Sequence, residues 1–257
     1  MENSQISTTP SASQKITKKY YETTSARGHR RKRIHYEEAA RTLRWRLGKW
    51  LPLDRNARIL DLGCGTGELL FFLEESGYGD LHGVDLCQEE LKEAQAFIKA
   101  ELICDHILNY LHQTKGAFES VIGLNILEHL SKDEVLEAFE AVSRVLIPGG
   151  TFIVMVPNAI SPLSNIPRHW DYTHEWAFTP NNFQQLAALS GFESEIELRE
   201  CGPVPHGLRS IIRFALWKAV KLIIRSYLLI EVADTKGGVY TMDMLVRLRK
   251  KDEADAE

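Results

Sequence analysis

The sequence has few cysteines, and none of the four stands in a CxxC pair. Zinc sites and disulfide frameworks require close or repeated cysteine spacing, so we expect neither of them and expect a reducing, cytoplasmic compartment. No run of apolar residues is long enough to span a bilayer, and the polar N-terminus lacks the apolar centre of a signal peptide. These absences favour a soluble domain held together by its core.

An excess of positive charge is also missing, since the 257 residues carry a net charge of −4. No overall field therefore attracts nucleic acid, and we expect no nucleic-acid partner. Basic residues are concentrated in the run "ARGHRRKR" (26–33) and in the segment 206–231. The first run is typical of a solvated helix start, although RNA, anionic lipid or sugar phosphates remain open as alternatives.

Apolar runs alternate with amphipathic segments along most of the chain, which predicts an α/β fold. The predicted strands cover 57–62, 81–86, 100–105, 118–126, 151–158, 193–201 and 239–250, and predicted helices cover 36–51, 66–76, 88–99, 106–113, 131–146 and 180–192. We expect a doubly wound, Rossmann-like, seven-stranded and mostly parallel sheet, with a helical insertion (206–231) before the last strand. The expected organisation is a tail with a basic segment (1–35), one domain (36–250) and an acidic tail (251–257).

The stretch "RILDLGCGTGELL" (58–70) places glycines at 63, 65 and 67 in the turn that leaves the first strand. Ligands of open α/β sheets bind at the carboxyl ends of the strands, and glycines let the backbone approach them closely. Dinucleotide sites use GxGxxG, whereas the spacing here is DxGxGxG with Asp61 still on the strand. An acid at that place repels phosphate and favours a cation such as an amino group.

"DLGCGTG", "GVDL", "AFESVIGLNILEHL" and "LIPGGTFIVMVPN", taken in this order, resemble the motifs of class I S-adenosylmethionine-dependent methyltransferases. The resemblance covers roughly residues 40–200 and implies S-adenosylmethionine as the cofactor. It implies that the loop binds the methionine moiety, that Asp85 takes both ribose hydroxyls, and that Asp105 meets the adenine amino group. The implied cofactor-binding residues are Asp61, Gly63, Cys64, Gly65, Gly67, Asp85, Leu86, Asp105, His106, Leu124 and Asn125.

A hydroxyl acceptor must lose a proton as its methyl bond forms, and a histidine can take that proton. The candidates are His129, just after the fourth predicted strand, and His169, Asp171 and His174 in the predicted substrate loop (158–178). A structural role for each of them remains open. The loop is rich in aromatic residues, which suits the apolar faces of a sugar. The stretch "RHWDYTHEWAFTPNNFQQLAALSGF" (168–192), within a region of about 165–250, resembles methyltransferases of polysaccharide and glycan biosynthesis. We therefore expect a sugar or glycan acceptor.

Related ubiquinone-pathway O-methyltransferases hold a divalent metal with two acids and two histidines around the turn that contains "EHL". In this sequence Asn125 replaces the first acid and Lys132 the second histidine. A lysine ammonium repels a dication, so we expect no metal site.

The segment 206–230 has five basic residues and no acid, and its apolar residues cover a wide arc of a helix. Such a helix must bury against something. We expect packing against the domain or a second copy of the chain, with peripheral contact to an anionic membrane as the alternative. Quinone or natural-product methylation, RNA methylation and a non-catalytic scaffold remain rival functions.

Overall fold

The structure, a computed structural model, describes residues 31–235 and 238–252. Its seven strands are β1 (Arg58–Leu62), β2 (Asp80–Asp85), β3 (Glu101–Cys104), β4 (Phe118–Leu124), β5 (Leu146–Pro157), β6 (Glu197–Glu200) and β7 (Asp243–Arg249). The helices are α1 (Arg33–Leu47), α2 (Glu68–Glu75), α3 (Gln88–Ala94), α4 (Ile107–Gln113), α5 (Lys132–Val145), α6 (Asn165–His169), α7 (Pro180–Leu189) and α8 (Leu208–Val232). A 3-10 turn covers Leu127–His129.

The strands form one sheet in the order β3-β2-β1-β4-β5-β7-β6. The pairs from β3 to β5 are parallel, and β7 runs antiparallel to both β5 and β6. The order reverses beside β1, and this switch point opens a crevice at the carboxyl ends of β1 and β4. The predicted fold class, including the mostly parallel sheet and the helix before the last strand, is confirmed.

The sheet is covered on both faces, and each face carries its own apolar cluster. One cluster joins α1 and α2 to the sheet through residues such as Tyr36, Leu47 and Phe72. The other packs α4, α5 and α7 through Phe139, Phe152 and neighbouring residues. Burial on both faces explains why the central strands are continuous apolar runs.

Several predicted boundaries differ from the structure. The first helix is Arg33–Leu47, because the chain turns at Gly48 and reaches Pro52 outside the helix. Strand β5 begins at Leu146, five residues before the predicted start, through pairing of Leu146 with Phe118. The predicted loop 158–178 contains the short helix α6. The acidic tail lies almost entirely outside the described residues, as does the N-terminal tail.

The 206–231 helix packs against the domain only in part, and its packing against a second copy of the chain stays a prediction. In α8 only Ser210 is buried, and most apolar side chains of the helix are exposed. A narrow stripe of half-buried residues touches the domain, through contacts with Glu200 of β6 and Trp45 of α1. Among the described residues, no helix is both long enough and apolar enough to cross a membrane.

Candidate functional site

The glycine loop leaves β1 in a left-handed backbone conformation. Gly63 has a φ of +69°, and a Cβ at this position would lie 2.8 Å from Cδ1 of Ile126. The amides of Gly63 and Cys64 both donate to the carbonyl of Val84, at 2.8 and 3.1 Å. The loop is therefore fastened to β2, and only glycine fits at Gly63 without displacing Ile126.

Asp85 ends β2 directly beside this loop. Its Oδ2 accepts the amide of Gly65 at 2.9 Å, and its Oδ1 accepts the amide of Cys87 at 2.8 Å. Burial raises the pKa of Asp85, against the opposing effect of its hydrogen bonds to the backbone. Each carboxylate oxygen retains a second acceptor position, so the group can bind two further donors such as vicinal hydroxyls.

Asp61, at the end of β1, is only 2% exposed. Burial raises its pKa well above the usual value, and the carboxylates of Asp85 and Glu68 raise it further. Glu90 adds a fourth acid, whose Oε2 would lie 3.1 Å from a Cβ on Gly65. Four acids thus surround the loop, and a cation bound here would relieve the repulsion among them.

Helix α1 lies over the outer side of the loop. The buried hydroxyl of Tyr36 donates to the carbonyl of Thr66 at 2.8 Å. Arg31 forms an ion pair with Glu68 at 2.8 Å, and Arg33 pairs with Glu37 at 3.1 Å. The described end of the basic segment therefore binds acids of the chain itself, which agrees with a helix start. Residues 26–30 of that segment lie outside the described residues.

These features fit S-adenosylmethionine and do not fit a pyrophosphate. The methionine moiety carries an ammonium and a sulfonium, which the acids Asp61 and Asp85 attract, whereas the same acids repel phosphate. Asp85 also offers the paired acceptors that a ribose diol needs. Whether each predicted residue contacts the cofactor remains a prediction.

The other predicted cofactor residues lie around the same crevice, but several also have structural roles. Asp105 accepts the amide of His106 at 2.7 Å, and Nδ1 of His106 accepts the amide of Leu108 at 3.3 Å, so both residues stabilise the start of α4. Leu86, which follows Asp85, is half exposed. The thiol of Cys64 is buried in the core beneath the loop, so this residue can offer the cofactor only its backbone.

The carboxyl end of β4 carries a second group of polar residues. Leu124 is the last residue of the strand, and Asn125 follows it with a left-handed φ of 56°. The side-chain amide of Asn125 donates to Oε1 of Glu128 at 3.0 Å. Glu128 is fully buried, its Oε2 has no hydrogen-bond partner among the described residues, and burial raises its pKa to about 8.

His129 is joined to the substrate loop through a chain of hydrogen bonds. Its Nδ1 lies 2.7 Å from Oγ1 of Thr173, and the Thr173 hydroxyl lies 2.8 Å from Oδ1 of Asp171. Because a carboxylate only accepts, the Thr173 hydroxyl donates to Asp171 and accepts from Nδ1–H of His129. The lone pair of the imidazole is therefore on Nε2.

His174 lies against His129, with ring centroids 4.7 Å apart in an edge-to-face arrangement. Its Nδ1 donates to the carbonyl of Pro167 at 2.7 Å. Burial lowers the pKa of His129 to about 4, and the neighbouring His174 contributes to this shift. The structure thus brings together His129, Asp171 and His174, while His169 is exposed at the end of α6.

One ligand atom from each of Glu128, His129 and His174 lies within 4.8 Å of the others, so these residues are able to hold a metal ion. The sequence pattern did not indicate this cluster, because His174 arrives from a different loop. Lys132, on which the expectation of no metal was partly based, places its ammonium 4.7 Å from the ring centroid of Trp176. The expectation of metal-independent chemistry stays a prediction.

Sequence reasoning missed three residues of this region. Thr173 links His129 to Asp171, and its place between Asp171 and His174 in the sequence would have been a usable signal. Arg46 of α1 donates to the carbonyl of Cys201 at 2.7 Å, and its charge acts on Asp243, the first residue of β7. No local pattern connects these distant positions.

Comparisons with known proteins agree with this geometry. Residues 59–150 match a family described as a methyltransferase domain. YqeM of Bacillus subtilis (strain 168), whose name assigns it only provisionally to the methyltransferases, is 35% identical over 114 residues, or 41% of this chain and 45% of that protein. The S-adenosyl-L-methionine-dependent Diels-Alderase iccD of Talaromyces variabilis is 27% identical over 196 residues, or 64% of this chain and 65% of that protein.

Among solved structures, a SAM dependent methyltransferase from Archaeoglobus fulgidus has a TM-score of 0.61 and 19% identity, covering 82% of this chain and 94% of that one. This likeness is one of fold. The matches span about half to two thirds of the length of the two curated relatives. The match to the methyltransferase domain family covers residues 59–150, which is less than half of the chain.

Proposed function

We propose that this chain is an S-adenosylmethionine-dependent methyltransferase that methylates a hydroxyl group, with His129 accepting the proton that the hydroxyl loses. The observation that carries the proposal is that two sites lie side by side at the carboxyl ends of the parallel strands. The glycine loop and Asp85 follow β1 and β2, and the oriented imidazole of His129 follows β4. Donor and acceptor sites at adjoining strand ends are what an in-line transfer needs.

S-adenosylmethionine supplies an activated methyl group when it is bound, so the chain mainly has to position the acceptor and remove its proton. The low pKa of His129, about 4, keeps the imidazole neutral at physiological pH, which is the form that accepts a proton. The hydrogen bond through Thr173 to Asp171 stabilises the imidazolium once it forms. General-base catalysis of this kind contributes about 10²–10⁴-fold in rate.

The finer proposal, a sugar or glycan acceptor, rests on the substrate loop alone. Trp170 and Tyr172 are 80% and 83% exposed there, so their rings are available to stack on the apolar face of a sugar. Neither of the two curated relatives described above is named as a sugar-modifying enzyme. A quinone or natural-product acceptor and RNA remain outcomes of the test.

The test is release of S-adenosylhomocysteine by the purified chain in the presence of nucleotide sugars, glycan fragments, quinones or RNA. We expect turnover with a hydroxyl acceptor, lowered at least about 100-fold in His129→Gln with S-adenosylmethionine binding retained. His169→Gln is the matched control, because this exposed histidine lies outside the His129 cluster. Binding without turnover on any acceptor would contradict methyl transfer, and full activity of His129→Gln would contradict the proton-accepting role.

A further inference from the structure

Helix α8 has two faces with different surroundings. Its half-buried residues recur every three or four positions, at Phe214, Trp217, Lys221, Ile224 and Leu228, which places them on one stripe. That stripe meets the domain: the Trp217 indole and the Lys221 ammonium both reach Oε2 of Glu200, at 3.4 and 2.9 Å. The helix is therefore held to the carboxyl end of β6.

The opposite face of α8 is apolar and exposed. Its large apolar side chains are 44% to 87% accessible and include Leu208, Ile212, Leu216, Val220, Leu222, Ile223, Tyr227 and Ile230. They follow one another along a helix of 25 residues, about 37 Å long. A continuous exposed apolar face of this extent marks an interaction site.

Cations border this apolar face on both sides. At 100° per residue, Arg209 and Arg213 lie along one margin, and Lys218 and Arg225 lie along the other. The only acid of the helix is Glu231, in the last turn. Long basic side chains at such margins can extend their charges to phosphate while their stems lie on apolar surface.

We propose that α8 lies in the plane of an anionic lipid surface, with its exposed face among the acyl chains and its marginal cations on the lipid headgroups. The cations are spread from one end of the helix to the other, and Lys218 lies near its middle, so the helix lies along a bilayer rather than through it. A second copy is the less favoured occupant, since two such helices would bring eight marginal cations together without acids to match them.

The location of α8 links this surface to the candidate site. Strand β6 runs parallel to β1, β4 and β5, because β7 is antiparallel to both of its neighbours. Glu200, which holds α8, therefore lies at the same end of the parallel strands as Asp61 and His129. The lipid-binding inference does not depend on methyl transfer, and its test uses no turnover.

The test is sedimentation of the full chain with vesicles of phosphatidylcholine alone or of phosphatidylcholine mixed with phosphatidylglycerol. We expect the wild type to bind the anionic vesicles and to bind phosphatidylcholine at least about tenfold more weakly. Ile223→Glu/Ile230→Glu removes binding, and Arg209→Ala/Arg225→Ala weakens it about thirtyfold. The controls are Leu189→Glu, on another helix, and Lys92→Ala/Lys99→Ala, near the opposite sheet edge; both bind as the wild type does.

Circular dichroism and light scattering on the same samples keep the outcome decisive. Unchanged spectra exclude misfolding as the cause of lost binding. Absence of vesicle binding by the wild type overturns the proposal, and a dimer that Ile223→Glu/Ile230→Glu dissociates would then assign the face to a second copy. Equal binding to neutral and anionic vesicles overturns the role of the cations.

Discussion

His129 and Thr173, 44 positions apart in the chain, are joined by a 2.7 Å hydrogen bond between Nδ1 and Oγ1. This bond closes the loop after β5 onto the turn after β4. It also sets the tautomer of the imidazole, because the Thr173 hydroxyl is already donated to Asp171. Thr173 thus selects the nitrogen of His129 that would accept the proton in the proposed reaction.

Replacing Thr173 tests this positioning role. Thr173→Val keeps the shape of the side chain and removes the hydroxyl, so the imidazole loses its orientation and its link to Asp171. We expect kcat to fall about 10–100-fold while the Kd for S-adenosylmethionine stays unchanged. Thr173→Ser, which keeps the hydroxyl, restores most of kcat. Unchanged kcat in Thr173→Val would contradict the role.

The stability of the protein should depend on pH through Glu128. Burial raises the pKa of Glu128 to about 8, so between its unfolded value and pH 8 the folded state binds more protons than the unfolded state. The free energy of unfolding therefore falls as pH rises through this window. The lowered pKa of His129 acts in the opposite direction, but only between about 4 and 6.5.

Glu128→Gln isolates this contribution. The free energy of unfolding of Glu128→Gln minus that of the wild type should increase between pH 6.5 and pH 8.5. The increase is at most about 1.4 kcal/mol per pH unit, which gives a few kcal/mol over this range. Urea titrations at several pH values measure the difference. A difference that stays constant with pH would show that Glu128 ionises normally in the folded state.

The close approach at Gly63 predicts a cost beyond backbone strain. Gly63→Ala forces a Cβ against Ile126 in a left-handed conformation, whereas Gly77→Ala, at a φ of +89°, meets no atom within 4 Å. In both variants the left-handed backbone lowers the free energy of unfolding by about 1–2 kcal/mol. We expect Gly63→Ala to lose additional stability through the contact with Ile126 and to bind S-adenosylmethionine more weakly. Ile126→Val in the Gly63→Ala background should recover part of the loss. Equal stability of the two single variants, measured by thermal unfolding, would argue against the contact.

Metal removal tests whether the Glu128–His129–His174 cluster carries an ion during the reaction. We expect turnover to persist after dialysis against a chelator, because His129 acts through its own lone pair. Loss of turnover that Mg²⁺ or Mn²⁺ restores, together with a bound metal lost in Glu128→Gln, would instead identify the cluster as a metal site.

The repetitive parts of the fold could be predicted from the sequence, because strands buried on both faces and amphipathic helices leave periodic patterns. The glycine loop was also predictable, since a short turn places it by itself, and so was the position of Asp85 beside it, since neighbouring parallel strands end at the same side of the sheet. The meeting of His129 with His174 was not, because it depends on how the loop between β5 and α7 closes. The exposure of α8 was likewise hidden, since an apolar helix has the same composition whether it packs against protein or against lipid.

The most direct test of the account is calorimetric titration of S-adenosylmethionine into the wild type and Asp85→Asn. Asp80→Asn is the matched control, because Asp80 lies at the other end of the same strand. Loss of the charge and of one acceptor should weaken binding about 10–100-fold in Asp85→Asn and leave the control unchanged. Absence of binding by the wild type, or equal affinity in Asp85→Asn, would contradict the assignment of this crevice to the cofactor.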